Sequence, residues 1–196
     1  MEEQRRILFV IDSLGCGGAE KSLVSLLRLL CHKKKYEIHL WMLSRGGVFE
    51  SLLPKDVIIE PTPSYRWIDG LKRHLTQIIY SLTYRYNRLI GKPEHGAETL
   101  WKCMSWAYKV PQTEFDVAIA YQQGVPTYLV VSKIRAHKKI AWINADIFSA
   151  GYNSKFNAQF YNECDYIVPV SSDLETILEK KYPSFKDKYH IVYDIL

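Results

Sequence analysis

Three glycines within four residues, Gly15, Gly17 and Gly18, stand between an apolar run at residues 7–11 and leucines at helical spacing, Leu23, Leu26, Leu27 and Leu30. Glycine lets another backbone or a ligand approach closely. A helix that opens directly from a glycine turn directs unpaired N–H groups and a partial positive charge at one point, which suits an anion, most often a phosphate. Two known phosphate-binding patterns fit poorly. A P-loop needs G-x-x-x-x-G-K-[ST], and that spacing does not occur here. The dinucleotide fingerprint would require glycine where Glu20 stands, and an acidic residue near Leu43-Ser44-Arg45 to hold a ribose. A plain strand-to-helix turn remains open on spacing alone.

The elements that must position this turn read as an alternation of strands and helices. Strands are expected at residues 7–11, 36–43, 57–60, 115–121, 139–143, 166–170 and 190–193. Helices are expected from Ala19 to the basic cluster His32–Lys35, and at residues 48–53, 97–109, 126–133, 153–162 and 172–181. The last of these would be opened by a capping box of Ser172 with Glu175. This rhythm predicts an α/β fold: a Rossmann-like, doubly wound, mostly parallel sheet with helices on both faces. At 196 residues and 47% hydrophobic content the chain suits a single domain spanning 1–196. No apolar run approaches the roughly 18–20 residues needed to span a bilayer. The opening MEEQRR enters the first strand at once and does not read as a signal peptide. The dispersed cysteines Cys16, Cys31, Cys103 and Cys164 form no C-x-x-C pair, so reduced thiols in a cytoplasmic protein are expected.

Residues 65–92 differ in character. Leu71, Leu75, Ile78, Ile79, Leu82, Tyr86 and Leu89 recur at helical spacing, and six basic residues against Asp69 give a local charge of +5, equal to the net charge of the whole chain. The basic amphipathic segment, extending with the next helix over about 65–109, has three readings. The leucines pack it onto the domain and leave a basic face in water, or it approaches an anionic membrane with Trp67, Tyr80, Tyr84 and Tyr86. The third reading, nucleic acid, has no recognised module behind it, and no nucleic-acid partner is expected.

The stretch Asp12-Ser13-Leu14-Gly15-Cys16-Gly17-Gly18-Ala19-Glu20-Lys21-Ser22-Leu23 resembles the opening of retaining glycosyltransferases of family 4, in which a G-G-A-E turn follows the first strand. Ile167–Ser172 with Asp173-Leu174-Glu175 resembles the strand and capped helix closing the N-terminal domain of that family. His190–Leu196 resembles its strand before the crossover, with Asp194 in place of the usual Asn. The resemblance implies the N-terminal, acceptor-side half of a GT-B fold, with the donor-binding C-terminal domain absent from this chain. The chain is then either an isolated domain or half of a two-chain enzyme, inactive alone and completed by its own C-terminal domain or a partner chain. The implied activity is transfer of a hexose from a nucleotide-sugar co-substrate to a glycan or lipid-linked acceptor, in bacterial surface polysaccharide synthesis. No metal or other cofactor is expected, and the expected location is the cytoplasm, including the inner face of the membrane.

By carry-over from that family, Gly17 and Gly18 approach the donor diphosphate. Glu20 is a helix cap or an acceptor contact. Asn144 stands where many relatives place a histidine, and Asn cannot exchange protons near pH 7. Asp146, two residues on, is an acceptor-hydroxyl ligand or a loop-capping aspartate. Gln122 and Gln123 follow a strand and should reach the same sheet edge, where their amides suit polyol recognition. Two non-catalytic readings stand beside this: a phosphate- or nucleotide-binding module using the same turn, and a membrane-surface adaptor.

Overall fold

A computed structural model describes residues 4–62, 70–91 and 94–195, with residues 70–73 as backbone only. Six strands are named in chain order: β1 (Arg5–Ile11), β2 (Tyr36–Met42), β3 (Ile58–Ile59), β4 (Phe115–Ala120), β5 (Ala136–Ile143) and β6 (Tyr166–Pro169). They form one sheet in the order β3-β2-β1-β4-β5-β6. Every pairing is parallel. Helices α1 (Gly18–His32), α2 (Gly70–Leu89), α3 (Gly96–Met104), α4 (Val125–Lys133) and α5 (Ser154–Asn162) lie in crossovers between strands, and α6 (Ser172–Lys181) follows β6. This is the doubly wound α/β architecture expected from the alternation.

Period-two alternation decides which side chain meets which helix layer. On β1, Leu8 and Val10 pack with Ala118, Ala120, Trp101 of α3 and Tyr128 of α4. Phe9 and Ile11 point the other way, onto Leu23, Val24 and Leu27 of α1. A third cluster joins Ala141 and Ile143 to Tyr161, Leu174 and Leu178 beneath α5 and α6. Both faces of the sheet are therefore covered, as an all-parallel sheet requires.

Four expectations change in detail. The final strand at residues 190–193 is reduced to a single parallel bridge, Ile167 to Tyr189, with two backbone bonds continuing from His190 N to Ile167 O and from Val192 N to Pro169 O. β6 ends at Pro169, which has no N–H to extend a ladder. The third strand shrinks to Ile58–Ile59, with Glu60 N still donating to Leu40 O at 2.9 Å before the chain leaves the sheet at Pro61. The helix expected at 48–53 is a 3-10 turn, Val48–Leu52. The last helix is capped by Ser171, whose extended backbone lets its Oγ accept from Leu174 N at 3.2 Å. Ser172 is already helical, so the predicted box lies one residue out of register.

The largest change concerns α2. Its apolar side chains face solvent and do not pack it down: Leu82 is 60% exposed and Leu89 86%. Thr76 is buried, and Tyr80, Thr83 and Asn87 are half-buried on the side toward α3. Arg66, Trp67, Asp69 and Lys92 of the basic segment, with the side chains of Leu71, Lys72 and Arg73, lie outside the described residues.

Candidate active site at the carboxyl ends of the strands

The strand order reverses direction between β1 and β4, so the loops after these strands diverge and leave a crevice outside their carboxyl ends. Open parallel sheets bind ligands at such a switch point. The loop after β1 carries the glycine turn, and the loop after β4 carries Gln122, Gln123 and Gly124. Sequence and topology bring them together.

At the turn, Gly17 is the N-cap of α1 in extended conformation and makes no side-chain cap, so the first N–H groups of the helix have no capping oxygen from it. A β-carbon at Gly18 would meet nothing within 4 Å, which leaves the helix entrance open to a ligand. A β-carbon at Gly17 would lie 2.3 Å from Glu20 Oε2. The Glu20 carboxylate thus folds back over the turn and places its charge at the positive end of the helix dipole. Gly47 fixes the turn from the side: a β-carbon there would fall 2.0 Å from the Leu14 carbonyl oxygen. Phe49 N donates to the same carbonyl at 3.0 Å.

The amide side chains brace neighbouring loops. Gln122 Oε1 accepts from Asp12 N at 3.2 Å, and Gln123 Oε1 accepts from Asn144 N at 3.4 Å. Asn144 Nδ2 donates to Tyr121 O at 2.6 Å, while its Oδ1 is buried without a partner among the described residues. Below them Tyr121 stacks on Trp142 with ring centres 4.8 Å apart, and its hydroxyl lies 3.0 Å from Ser22 Oγ in α1. Asp146 behaves as a loop cap. One carboxylate oxygen accepts from Phe148 N at 2.9 Å and Ser149 N at 3.2 Å, and the other from the Ser149 hydroxyl. The Ser149 hydroxyl, and then its backbone bond, hold the Asp146 pKa below the usual range. The chain end returns to this edge, where Ile195 N donates to Ser22 Oγ at 3.3 Å.

A recess of about 370 Å3 opens beside the turn, lined by Asp12, Leu43, Ser44, Ala97, Leu100, Tyr108 and Val125. Asp12 is reachable from solvent, yet protein surrounds it on most sides. Desolvation, followed by repulsion from Glu20, raises its pKa from 3.8 to about 6. Ser44 N and Oγ both donate to Asp12 O, at 2.8 and 3.2 Å. Gly124, at φ +84°, admits the Tyr152 hydroxyl 2.9 Å from where a β-carbon would sit. His95 caps α3 by accepting from Ala97 N through Nδ1, and its ring stacks on Tyr152 at 3.6 Å. Asp12, Ser44, His95 and Tyr152 were not singled out as site residues from the sequence; only the place of Asp12 at the end of a predicted strand marked it. Among the described residues no group of three or more His, Cys, Asp or Glu side chains is placed to hold a metal ion.

No protein-family model matches the chain, and no curated protein matches it. Solved structures do. HepE of Anabaena in complex with UDP-glucose matches with TM-score 0.58 at 14% identity, over 98% of this chain and 44% of that one. The same protein with UDP and glucose gives 0.57 at 12% identity, over 98% and 45%. A glycosyltransferase from Rickettsia africae gives 0.53 at 14% identity, over 97% and 43%. This chain thus spans less than half the length of each neighbour, and at these identities the likeness is one of fold: a Rossmann-like unit matching one half of such a glycosyltransferase.

Proposed function

We propose that the chain is the acceptor-side half of a retaining glycosyltransferase of family 4 with a GT-B architecture, which transfers a hexose from a nucleotide sugar to a glycan or lipid-linked acceptor in bacterial surface polysaccharide synthesis. The observation that carries the reading is the fit of 98% of the chain onto under half of a UDP-glucose complex, with the glycine turn lying at the switch point of the same fold. In this reading Gly17 and Gly18 accept the donor diphosphate at the entrance of α1, on a wall completed by a second domain or a partner chain. The recess beside them receives the acceptor. Leu43, Leu100 and Val125 cover its apolar body, and Asp12, Gln122 and Gln123 bond its hydroxyls. Asn144 holds the β4 and β5 loops together and exchanges no proton; the donor phosphate serves as base. Glu20 is a further acceptor contact beside the turn, Asp146 caps its own loop, and no metal takes part in the reaction. Alone, without the donor wall, it is inactive.

The test uses the full-length gene product, or this chain with its partner, offered a panel of nucleotide sugars while release of nucleoside diphosphate is measured. We expect one or more donors to be turned over. G18V, whose side chain enters open space in the fold, is expected to lower turnover at least about tenfold with an unchanged melting temperature. No turnover with any donor, or unchanged turnover in G18V, would overturn the assignment.

A further inference from the structure

Other aspartates of this fold have donors. Asp116 Oδ2 accepts from Arg6 N at 2.7 Å, and Asp165 accepts from Lys138 Nζ at 2.7 Å and from Lys139 N at 2.8 Å. Asp12 differs. Its N–H goes to Gln122 Oε1 and its carbonyl takes both bonds from Ser44, but among the described residues its carboxylate accepts no hydrogen bond. That carboxylate faces the recess, where Leu43, Leu100 and Val125 make apolar walls. The groups around it bring no counter-charge. Glu20 of α1 is the charge that shifts it, and Glu20 repels it. Arg45, next to Ser44, is held by Glu50 at 2.8 Å. His95 stacks on Tyr152, and burial lowers its pKa from 6.5, so its ring is neutral at pH 7. The Tyr152 hydroxyl, pushed up to about 12 by burial, is neutral as well.

We propose that the recess takes a sugar bearing a protonated amine, with Asp12 as the residue that selects it, so that the acceptor is an amino sugar whose nitrogen is not acylated. Charge and desolvation decide among ligands. A neutral sugar seated here strips water from a carboxylate and returns one hydroxyl donor and no charge, which is costly. An anionic sugar meets two carboxylates of its own sign. An ammonium brings the opposite charge and three donors, enough for Asp12 and for an oxygen beside it. Leu43, Leu100 and Val125 meanwhile cover the C–H face of the ring. A divalent metal ion matches less well, because among the described residues no third His, Cys, Asp or Glu side chain joins the pair to complete its shell. Asp12 therefore meets an ammonium where the transferase reading alone gives it a hydroxyl. Calling the ligand an acceptor rests on that reading; binding of the amine rests on the recess.

The test is NMR titration of the chain with the methyl glycosides of glucosamine, N-acetylglucosamine, glucose and glucuronic acid, at about pH 7 and about pH 5. At the higher pH the glucosaminide is expected to bind at least about tenfold more tightly than the other three, and salt to weaken it. Acidification protonates Asp12, whose pKa is about 6. The glucosaminide should therefore weaken at least about threefold at the lower pH, while the neutral glucoside holds or tightens. D12N keeps the shape of the side chain and removes its charge. With its fold checked by a melting curve, it should bring the glucosaminide to within about twofold of the glucoside. Absence of glucosaminide binding overturns the inference. So does equal binding of glucosaminide and glucoside, tighter binding of the N-acetylated or glucuronic form, tighter glucosaminide binding on acidification, or a preference that survives in D12N. Donor turnover is read separately. Turnover confined to neutral acceptors overturns the inference and leaves the transferase reading standing; amine binding without any turnover removes that reading and leaves the amine as the ligand of the recess.

Discussion

Asp12 is a residue of the recess whose chemistry departs from its sequence appearance. Its carboxyl titrates near 6 in the fold against 3.8 in a free chain, so folding favours the protonated form. A raised carboxylate pKa means that ionisation opposes the fold: the cost is absent below about pH 4, grows as pH rises toward 6, and is constant above. D12N removes it. Its melting temperature should match the wild type at pH 3.5 and exceed it by about 2–4 °C at pH 7.5, for an effect on the order of 1 kcal/mol after allowing for solvent screening. A difference independent of pH would show that the carboxyl is not perturbed. The sequence marked the glycine turn and the two glutamines because strand-end positions in a parallel sheet can be placed by rhythm alone. It could not mark the protein around Asp12 or the stacking of His95 on Tyr152, because both arise from long-range packing that leaves no local pattern.

Elements were readable where hydrophobic period decides them and misread where a single donor or the tertiary setting decides. All six sheet strands and the helices around them fall near their expected positions. The donor missing at Pro169 cut short the pairing of the final segment with β6, and one extended serine moved a cap. The helical period of α2 was plain, but period says only that one side is apolar, not which way it faces. α3 shows the opposite case, a polar group drawn inside. Glu98 is fully buried, and its Oε1 accepts from Asn153 N and Asn157 Nδ2, both at 2.7 Å. Asn157 Oδ1 in turn accepts from the Tyr128 hydroxyl at 2.8 Å. The carboxyl thus ties α3, a wall of the recess, to the start of α5 and to α4. E98A leaves Asn153 N and one hydrogen of Asn157 Nδ2 without their acceptor and opens a hole. It should cost about 2–4 kcal/mol, a fall of about 5–12 °C in melting temperature. E98Q keeps an acceptor for the same donors and should lose clearly less; equal losses would place the cost in packing and not in the hydrogen bonds.

At the scale of the whole molecule, the crevice has one wall. A pocket that holds a ligand of nucleotide-sugar size well buries about 70–90% of its surface, whereas the carboxyl edge of this sheet offers an open face with the α1 entrance at its centre. That entrance already has an anion over it, since Glu20 folds back to Gly17, and a diphosphate must displace or outbid this carboxylate. The field of the helix end is therefore partly spent within the chain. Calorimetry of the chain with UDP-glucose should accordingly give a Kd weaker than about 1 mM, corresponding to less than about 4 kcal/mol of binding free energy. Micromolar binding by the chain alone would mean that the turn and its neighbouring loops form a complete site, and would favour a self-sufficient nucleotide-binding module over half of a transferase. Weak binding that tightens at least about tenfold when the second domain or partner is supplied would place the missing wall there, with the donor gripped only when the two halves meet.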